Sequence, residues 1–286
     1  MITIFACPKA FRGQSAILQR NAVISWTFLR PKPEIILFGD KEEGTAEICQ
    51  EFSLRYIPEV SRNEFNTPLV RDLFEKGQRL AKYDLVCYVN SDIVLTQSLI
   101  RAVNIISERW KRFVAICSTW ELAEEEKINF IHADWEGGLC NLVRKKGMPP
   151  RSIGIDLFLF RRGFYDCIPP FAIGRLRWDN WLIAKAYYKK IPLIDISQFT
   201  MAVHFAHERT SHSSRIYQID KEGLINTRLI SKWSRSFIGL DARYELKADG
   251  RLRKKRCLEL LRIRLRNFIK SYPKLERICY LITHFK

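Results

Sequence analysis

The sequence predicts an α/β protein in which helices cover both faces of a largely parallel sheet. Short apolar runs alternate with segments of helical periodicity over the first 117 residues, and this alternation is typical of parallel sheets. Residues 85–89 are almost continuously apolar, as expected for a strand buried on both faces. The chain has 286 residues, of which 47% are apolar. It can therefore bury the core of one large domain and carry an appendage.

The first half of the chain alternates strand and helix in order. A strand at residues 2–7 precedes a helix at 15–29, which Pro31 and Pro33 end. Thr67 and Pro68 mark a helix start, with Thr67 as the N-cap. The other predicted elements are strand 34–40, helix 43–52, strand 54–57, helix 68–82, strand 85–89, a helix after Thr96 and strand 113–117.

The pattern changes after residue 118. Residues 121–150 combine an acidic run, a glycine pair and a basic patch without clean periodicity, which is typical of a lid or a binding insertion. The regular pattern resumes with a strand at 154–160, a helix that begins near Trp178 and a strand at 192–196. We expect substrate contacts in the insertion.

Polar residues follow the buried strand at 85–89. Asn90, Ser91 and Asp92 favour a turn and expose oxygen ligands. A carboxylate at the carboxyl end of a central strand lies where open α/β sheets bind ligands, and a hard cation held there can bind a diphosphate. Asp92 is thus the first candidate for chemistry, although ordinary turn formation explains the triplet equally well.

Three further strand ends and loops carry candidate residues. Asp40 ends the second strand, and Lys9 lies in a basic, glycine-containing loop that either approaches phosphates or forms a surface turn. His204 lies at the end of a late strand, where an imidazole is a metal ligand or a core residue. A partner such as Asp92 would favour the metal role.

Asp179 falls in the first turn of a predicted helix, between Trp178 and Trp181. The helix dipole favours an acid there, which is a sufficient structural reason for it. An acid between two large flat side chains also resembles the floor of a sugar site. Both interpretations stay open at this point.

The net charge of +17 is concentrated near the C-terminus. From Arg228 to Lys286 there are 17 Lys and Arg residues against 5 Asp and Glu residues, a net charge of +12. Residues 251–270 place apolar and basic side chains on different sides of a helix, as in an interfacial helix on an anionic membrane. The alternative is a helix that packs on the domain with a solvated basic face.

Cysteine spacing and the N-terminal residues indicate the cellular compartment in which the protein is expected. The eight cysteines are scattered, with no C-x-x-C pair, and indicate free thiols in a reducing environment. We find neither a signal-peptide pattern nor a stretch as long as a membrane span. We expect a cytoplasmic protein, either soluble or peripheral on the inner face of the membrane.

Four pieces of sequence occur in an order that resembles a known family. They are Asn90-Ser91-Asp92 after its buried strand, residues 156–164, the Trp-Asp-Asn-Trp at 178–181, and His204. Over about the first three-quarters of the chain they resemble family-2-like glycosyltransferases of the GT-A fold. The resemblance implies a Rossmann-like sheet with helices on both faces, and the charge and helical pattern of the C-terminal residues add a basic helical appendage. It divides the part that it covers into a nucleotide-sugar-binding half (1–118) and an acceptor-binding and catalytic half of the same domain (119–227). The charge pattern adds a basic amphipathic segment (228–286).

The resemblance also implies roles for individual residues. The family's Asp-x-Asp motif binds a divalent cation, Mn or Mg, and the donor diphosphate; here Asn90 replaces the first acid, so Asp92 and His204 are the expected metal ligands. Asp179 corresponds to the general base of inverting members, with Trp-Asp in place of Glu-Asp. The expected nucleotide-sugar contacts are Lys9, Asp40 (to the nucleoside), Asn90, Ser91 and Asp92. The expected acceptor or sugar contacts are Asp156, Arg175, Trp178, Asn180 and Trp181.

The expected activity is transfer of a sugar from a nucleotide-diphospho-sugar, a UDP-sugar by preference, to a hydroxyl of a cell-surface glycan or lipid-linked saccharide. We expect it to depend on a metal and to invert the anomeric centre. A sugar nucleotidyltransferase is an alternative, but the loop at 8–13 is a poor match to its glycine-rich signature. A basic, non-enzymatic protein that binds nucleic acid or a membrane surface is the alternative from another class; no nucleic-acid motif is present and no nucleic-acid partner is expected.

Overall fold

A nine-stranded sheet forms the centre of the molecule. The computed structural model describes residues 1–39, 43–123, 128–205 and 220–270. The strands are β1 (Thr3–Ala6), β2 (Glu34–Phe38), β3 (Arg55–Ile57), β4 (Leu85–Val89), β5 (Ile93–Leu95), β6 (Val114–Cys117), β7 (Trp120–Leu122), β8 (Leu157–Arg161), β9 (Leu193–Asp195), β10 (Ala202–Phe205), β11 (Tyr244–Leu246) and β12 (Leu252–Lys254). The helices are α1 (Gly13–Phe28), α2 (Thr45–Phe52), α3 (Val70–Leu80), α4 (Ser98–Arg109), α5 (Trp135–Lys146), α6 (Trp178–Tyr188), α7 (Lys221–Arg228) and α8 (Cys257–Lys270).

The strand order of the main sheet is β12-β11-β9-β6-β8-β4-β1-β2-β3. Seven of these strands are parallel; β8 runs antiparallel to both β4 and β6, and β12 runs antiparallel to β11. The predicted α/β fold with a largely parallel sheet is therefore confirmed. The reversed direction of β8 is a feature that local periodicity does not reveal.

Helices cover both faces of this sheet, as predicted. On one face α1, α2 and α4 bury apolar side chains such as Trp26, Ile48 and Leu99 against the strands. On the other face α3 and α6 contribute Phe74 and Leu182 to a second cluster. Because both faces are covered, the strand residues between the helix layers are almost continuously apolar.

The predicted N-cap at Thr67 is wrong. α3 begins at Val70, and Leu69 before it is extended, with φ −92° and ψ 127°. Leu69 pairs with Ala172, and the backbone N–H of Val70 donates to the carbonyl oxygen of Phe171 at 2.9 Å. This long-range pairing keeps residues 68–69 extended and delays the helix by two residues.

A second, three-stranded sheet has the order β5-β10-β7. β10 is antiparallel to β5 and parallel to β7, so His204 lies opposite Ile93 on one side and Glu121 on the other. Glu121 also exchanges backbone hydrogen bonds with Met148, at 3.0 and 2.7 Å. These bonds close the base of the insertion predicted at 121–150, which contains α5 and leads into the residues before β8.

The C-terminal segment both extends the sheet and adds a helix. Strands β11 and β12 add residues 244–254 to the main sheet, so this part of the predicted appendage is integral to the fold. Arg264 of α8 is buried, forms an ion pair with Asp241 at 2.8 Å, and stacks over Phe237 with its guanidinium 3.7 Å from the ring centroid. One side of α8 thus packs on the domain. Among the described helices, none is both long and apolar enough to cross a membrane.

Two helical glycines provide a matched test of the packing between α3 and the sheet. A Cβ added at Gly77 would lie 2.7 Å from the ring of Phe5, which is itself buried against Phe74 and Tyr88. Because the ring has no room to move, we expect Gly77→Ala to reduce the free energy of unfolding by about 1 to 3 kcal/mol. Urea titrations followed by circular dichroism measure this change.

The control is Gly138→Ala in α5, where an added Cβ meets nothing within 4 Å. Alanine favours the helix over glycine by up to about 1 kcal/mol, so this variant should be unchanged or more stable. Equal effects at the two positions would contradict the close contact between α3 and β1.

Candidate functional site

The reversed strand β8 organises a polar site at one edge of the main sheet. Its first residue, Leu157, pairs with Val89 at the end of β4 and with Cys117 at the end of β6. The residue before β8, Asp156, therefore lies between the carboxyl ends of two parallel strands. Backbone hydrogen bonds fix it there, from Asn90 N to Asp156 O at 2.9 Å and from Asp156 N to Cys117 O at 3.1 Å. This is the edge at which open α/β sheets bind ligands.

Asn90 uses its side chain to orient Asp156. Its Nδ2 donates to Oδ1 of Asp156 at 2.9 Å, while its Oδ1 accepts a hydrogen bond from the Tyr88 hydroxyl at 2.7 Å. The other carboxylate oxygen of Asp156 accepts from the Thr119 hydroxyl at 2.9 Å. Both oxygens of Asp156 are thus held by donors on neighbouring strand ends.

Burial dominates the electrostatics of Asp156. Desolvation raises the pKa of this carboxyl to about 6, and the nearby Asp92 carboxylate adds to the increase. His204 and the donors on Thr119 and Asn90 act in the opposite direction but do not cancel it. A carboxyl with such a pKa changes its charge near neutral pH, which is common at functional sites.

The small sheet brings Asp92 and His204 together. Because His204 pairs with Ile93, its Nε2 lies 3.6 Å from Oδ2 of Asp92, and both side chains are partly buried, at 16% and 20% exposure. The two residues line a cavity of about 180 Å³ together with Asn90 and Asp156. Thr119, Glu121 and Arg151 also contribute to its walls.

The donor set fits a divalent cation that shares its coordination with a ligand. A carboxylate oxygen and an imidazole nitrogen 3.6 Å apart can both bind one ion at about 2.0 to 2.2 Å. Within the described ranges, no group of three or more His, Cys, Asp or Glu side chains is arranged to hold a metal. Mg²⁺ commonly takes one or two protein carboxylates and completes its shell with phosphate oxygens and water, which is compatible with two protein ligands.

Gln19 connects the predicted phosphate loop to the turn that carries Asp92. Its Oε1 accepts from the backbone N–H of Lys9 at 2.7 Å and from the Ser91 hydroxyl at 3.0 Å. Its Nε2 donates to the carbonyl oxygen of Lys9 at 3.0 Å. Lys9 is exposed and Ser91 is buried. The buried side-chain amide of Gln19 therefore links these two predicted site residues.

Asp179 lies in the first turn of α6, and it is not among the residues that line the cavity. Its carboxylate accepts from the backbone N–H of Asn180 at 2.8 Å, and the backbone of Ile155, the residue before Asp156, also acts on its pKa. Burial raises the pKa of Asp179 above its ordinary value, although these backbone donors and Arg177 oppose the increase. The result is a partly buried carboxylate that is more basic than one in water.

Of the five predicted acceptor or sugar contacts, only Asp156 lines the cavity. Trp178 is a core residue at 6% exposure and packs edge-on against Tyr88, with ring centroids 5.4 Å apart. The remaining three are held by contacts within the protein: Trp181 packs on Phe171 beneath Lys185, Asn180 donates to the carbonyl oxygen of Phe237, and Arg175 forms ion pairs with Asp220 and Glu222. These side chains stabilise the surroundings of Asp179 in this conformation.

One predicted site residue lies outside the described part of the chain, and four residues at or near the site were not predicted from the sequence. Asp40 lies outside the described residues. Thr119 lies two residues after the strand predicted at 113–117, so it could have been predicted from its strand-end position, as Asp92 was. Glu121 begins the predicted insertion, and Arg151 follows its last residue. Gln19 is one polar residue within a helix. No local sequence signal distinguishes these three residues from ordinary polar residues.

Comparison with known proteins identifies the class of fold. No protein-family model matches the chain, and no curated protein sequence does. Among solved structures, the chain is similar to nucleotide-sugar glycosyltransferases, and it has the predicted GT-A fold. The similar structures include the mannosyltransferase PcManGT from Pyrobaculum calidifontis in complex with GDP-Man and Mn²⁺, at a TM-score of 0.50 and 12% sequence identity.

The match to PcManGT covers 80% of this chain and 64% of the mannosyltransferase. Another similar structure is glucosyl-3-phosphoglycerate synthase from Mycobacterium tuberculosis in complex with Mn²⁺, UDP-glucose and phosphoglyceric acid, at a TM-score of 0.47 and 12% identity over 76% of each chain. At 12% identity, the similarity to PcManGT establishes the fold.

The raised pKa of Asp156 predicts a pH-dependent cost of folding. Its folded value of about 6 exceeds the ordinary 3.8, so the native state binds more protons than the unfolded state between these values and loses stability as pH rises through them. Relative to Asp156→Asn, the wild type should lose on the order of 1 to 3 kcal/mol in free energy of unfolding between about pH 4 and pH 7. Urea titrations with a metal chelator measure the difference.

Asp166→Asn is the control of opposite sign. The hydrogen bond from Lys185 lowers the pKa of this mostly exposed carboxyl, so any stability it contributes is lost as pH falls. A pH-independent difference between the wild type and Asp156→Asn would contradict the burial of this carboxyl.

Proposed function

We propose that the chain is a glycosyltransferase that moves a sugar from a nucleotide-diphospho-sugar to a hydroxyl acceptor. The observation that carries the proposal is the meeting of Asp92, His204, Asn90 and Asp156 at the carboxyl edge of a sheet with the GT-A fold. Two of these residues form a donor set suited to a cation, and the other two form a fixed hydrogen-bonding pair. This arrangement suits a ligand that is anionic at one end and rich in hydroxyl groups at the other.

The size of the cavity indicates which part of the donor it takes. Sites for whole small ligands occupy about 300 to 1,000 Å³, whereas this cavity holds about 180 Å³. We assign to it the sugar and the adjacent phosphates. The nucleoside then extends along the sheet edge towards the loop that contains Lys9. Asp40, the residue predicted to recognise it, lies outside the described residues.

Asp92 and His204 would hold a Mn²⁺ or Mg²⁺ ion beside the diphosphate. When bound, such an ion neutralises the charge that develops on the departing nucleoside diphosphate. Arg151 also lines this cavity, and its cation can bind a phosphate oxygen. Asp156, held by Asn90 and Thr119, presents a carboxylate that can accept hydrogen bonds from sugar hydroxyls.

Asp179 is the proposed general base. Two observations support this role. The backbone of Ile155, which lies between the cavity-lining residues Gly154 and Asp156, acts on the Asp179 carboxylate, and the raised pKa of Asp179 improves it as a proton acceptor. Removal of the acceptor's proton by Asp179 would let the hydroxyl attack from the side opposite the leaving group, which inverts the anomeric centre. UDP-sugar donors, acceptors that are glycans or lipid-linked saccharides, and a role in polysaccharide biosynthesis are narrower proposals that follow from the family resemblance.

The Asp92 assignment can be tested by nucleotide binding. Asp92→Ala removes the anionic ligand of the proposed ion, so Mn²⁺-dependent affinity for UDP or GDP should fall by at least about tenfold, or 1.4 kcal/mol. His204→Ala removes a neutral ligand and should cost less. Calorimetric titrations with Mn²⁺ and with EDTA separate the metal-dependent part of the affinity.

Unfolding curves of both variants serve as the check on folding. Nucleotide affinity that depends on Mn²⁺ to the same extent in Asp92→Ala as in the wild type would reject the metal site.

The general-base role predicts a loss of turnover without a loss of donor binding. Asp179→Asn is nearly isosteric and cannot accept the proton, so turnover should fall by roughly 100- to 10,000-fold while donor affinity is almost unchanged. Steady-state rates with the preferred donor, together with calorimetric donor affinity, make the comparison.

Glu47→Gln is the matched control, since Glu47 is an exposed acid in the first turn of α2. If Asp179 only stabilises its helix, both variants should lose about 0.3 to 1 kcal/mol of stability and keep their turnover. A product that retains the donor's anomeric configuration would also reject the assignment.

A further inference from the structure

A second, larger cavity lies at the opposite edge of the sheet from the candidate site. This groove has a volume of about 1050 Å³ and runs between the end of α6 and α8. Its floor includes Leu193, the first residue of β9, and Tyr244, the first residue of β11. Both strands run parallel to β6, whose carboxyl end contributes to the candidate site. The groove is therefore on the amino-terminal side of the sheet, and the proposed transfer reaction does not use it.

The groove carries an excess of positive charge. Lys190, Arg243, Lys254 and Arg256 line it and are exposed. Their side chains form no ion pair with the carboxylates of the described part of the chain. Asp241, the one acid among the lining residues described, is already paired with the buried Arg264. Four cations on one concave surface, none paired with a carboxylate of the described residues, suit a ligand that carries phosphate.

An apolar stripe on α8 meets the same groove at Leu261. Leu258, Leu261 and Leu265 follow one another at helical spacing on α8 and are 70%, 61% and 56% exposed. On the opposite wall, Tyr187 and Tyr188 are 49% and 53% exposed. Leucines that can enter an acyl layer, tyrosines at the level of headgroups and flanking cations are the composition of an interfacial membrane helix.

We propose that this groove and the leucine stripe form a docking surface for an anionic phospholipid bilayer. The four cations bind headgroup phosphates, and the leucines enter the boundary between headgroups and acyl chains. Charge complementarity favours this partner, because an anionic bilayer offers both the phosphates and the apolar layer, whereas a nucleic acid offers nothing to the leucines.

Vesicle co-sedimentation of the full-length protein tests this surface. The wild type should bind vesicles of phosphatidylcholine mixed with phosphatidylglycerol but not vesicles of phosphatidylcholine alone. Lys190→Glu with Arg243→Glu should weaken binding to the anionic vesicles by at least about tenfold. Leu261→Ser with Leu265→Ser should weaken it as well, without any change of charge.

The matched control reverses two exposed cations elsewhere, Arg79→Glu with Lys145→Glu. This variant has the same net charge as the first and should bind anionic vesicles within about threefold of the wild type, since its changes lie outside the groove. If the glutamate variant of the groove is unfolded by circular dichroism, Lys190→Gln with Arg243→Gln replaces it, and severalfold weaker binding is expected.

Three outcomes would overturn the proposal. They are equal losses in the groove and control variants, unchanged vesicle binding in the groove variants, and retention on duplex DNA that the groove and leucine substitutions weaken more than vesicle binding. Nucleotide affinity with Mn²⁺, measured on the same groove variants, should match the wild type. The docking surface and the proposed transferase activity can therefore fail independently.

Discussion

The hydrogen-bonded insertion of β8 between β4 and β6 is the constraint on which the candidate site depends. A strand that runs against its two neighbours delivers its beginning, instead of its end, to the carboxyl edge of the sheet. Asp156 thereby meets Asn90 and Thr119 although 66 and 37 residues separate them along the chain. The same strand is apolar and buried on both faces, so the core that stabilises the fold also fixes the position of the carboxylate.

This geometry gives a physical reason for the neutral residue at position 90. The side chain of Asn90 lies within hydrogen-bonding distance of the Asp156 carboxylate, at 2.9 Å. An aspartate in its place would set two carboxylates against each other, and such a pair ionises fully only at a high electrostatic cost. The amide instead donates to Asp156 and so favours its charged form. The departure from the Asp-x-Asp pattern moves one negative charge of the site from the turn to the adjoining strand.

Prediction from sequence succeeded where the signal is local and failed where it depends on pairing between distant strands. Buried strands and amphipathic helices follow from the spacing of apolar residues, so the α/β fold and the strand-end position of Asp92 could be predicted. The direction of β8 and the approach of His204 to Asp92 depend on pairing across about 70 and 110 residues, which periodicity does not encode. Trp178 shows a further limit, because a large aromatic residue suits a core as well as a sugar site.

The two hydrogen bonds accepted by a single oxygen of Gln19 have a mechanical consequence. The main chain at Lys9 and the hydroxyl of Ser91 share that acceptor, and the amide is buried within the fold. A ligand that displaces the loop must either carry Ser91 with it or break one of these bonds. A displacement of the main chain at Lys9 would therefore change the hydrogen bonding of Ser91, one residue from Asp92.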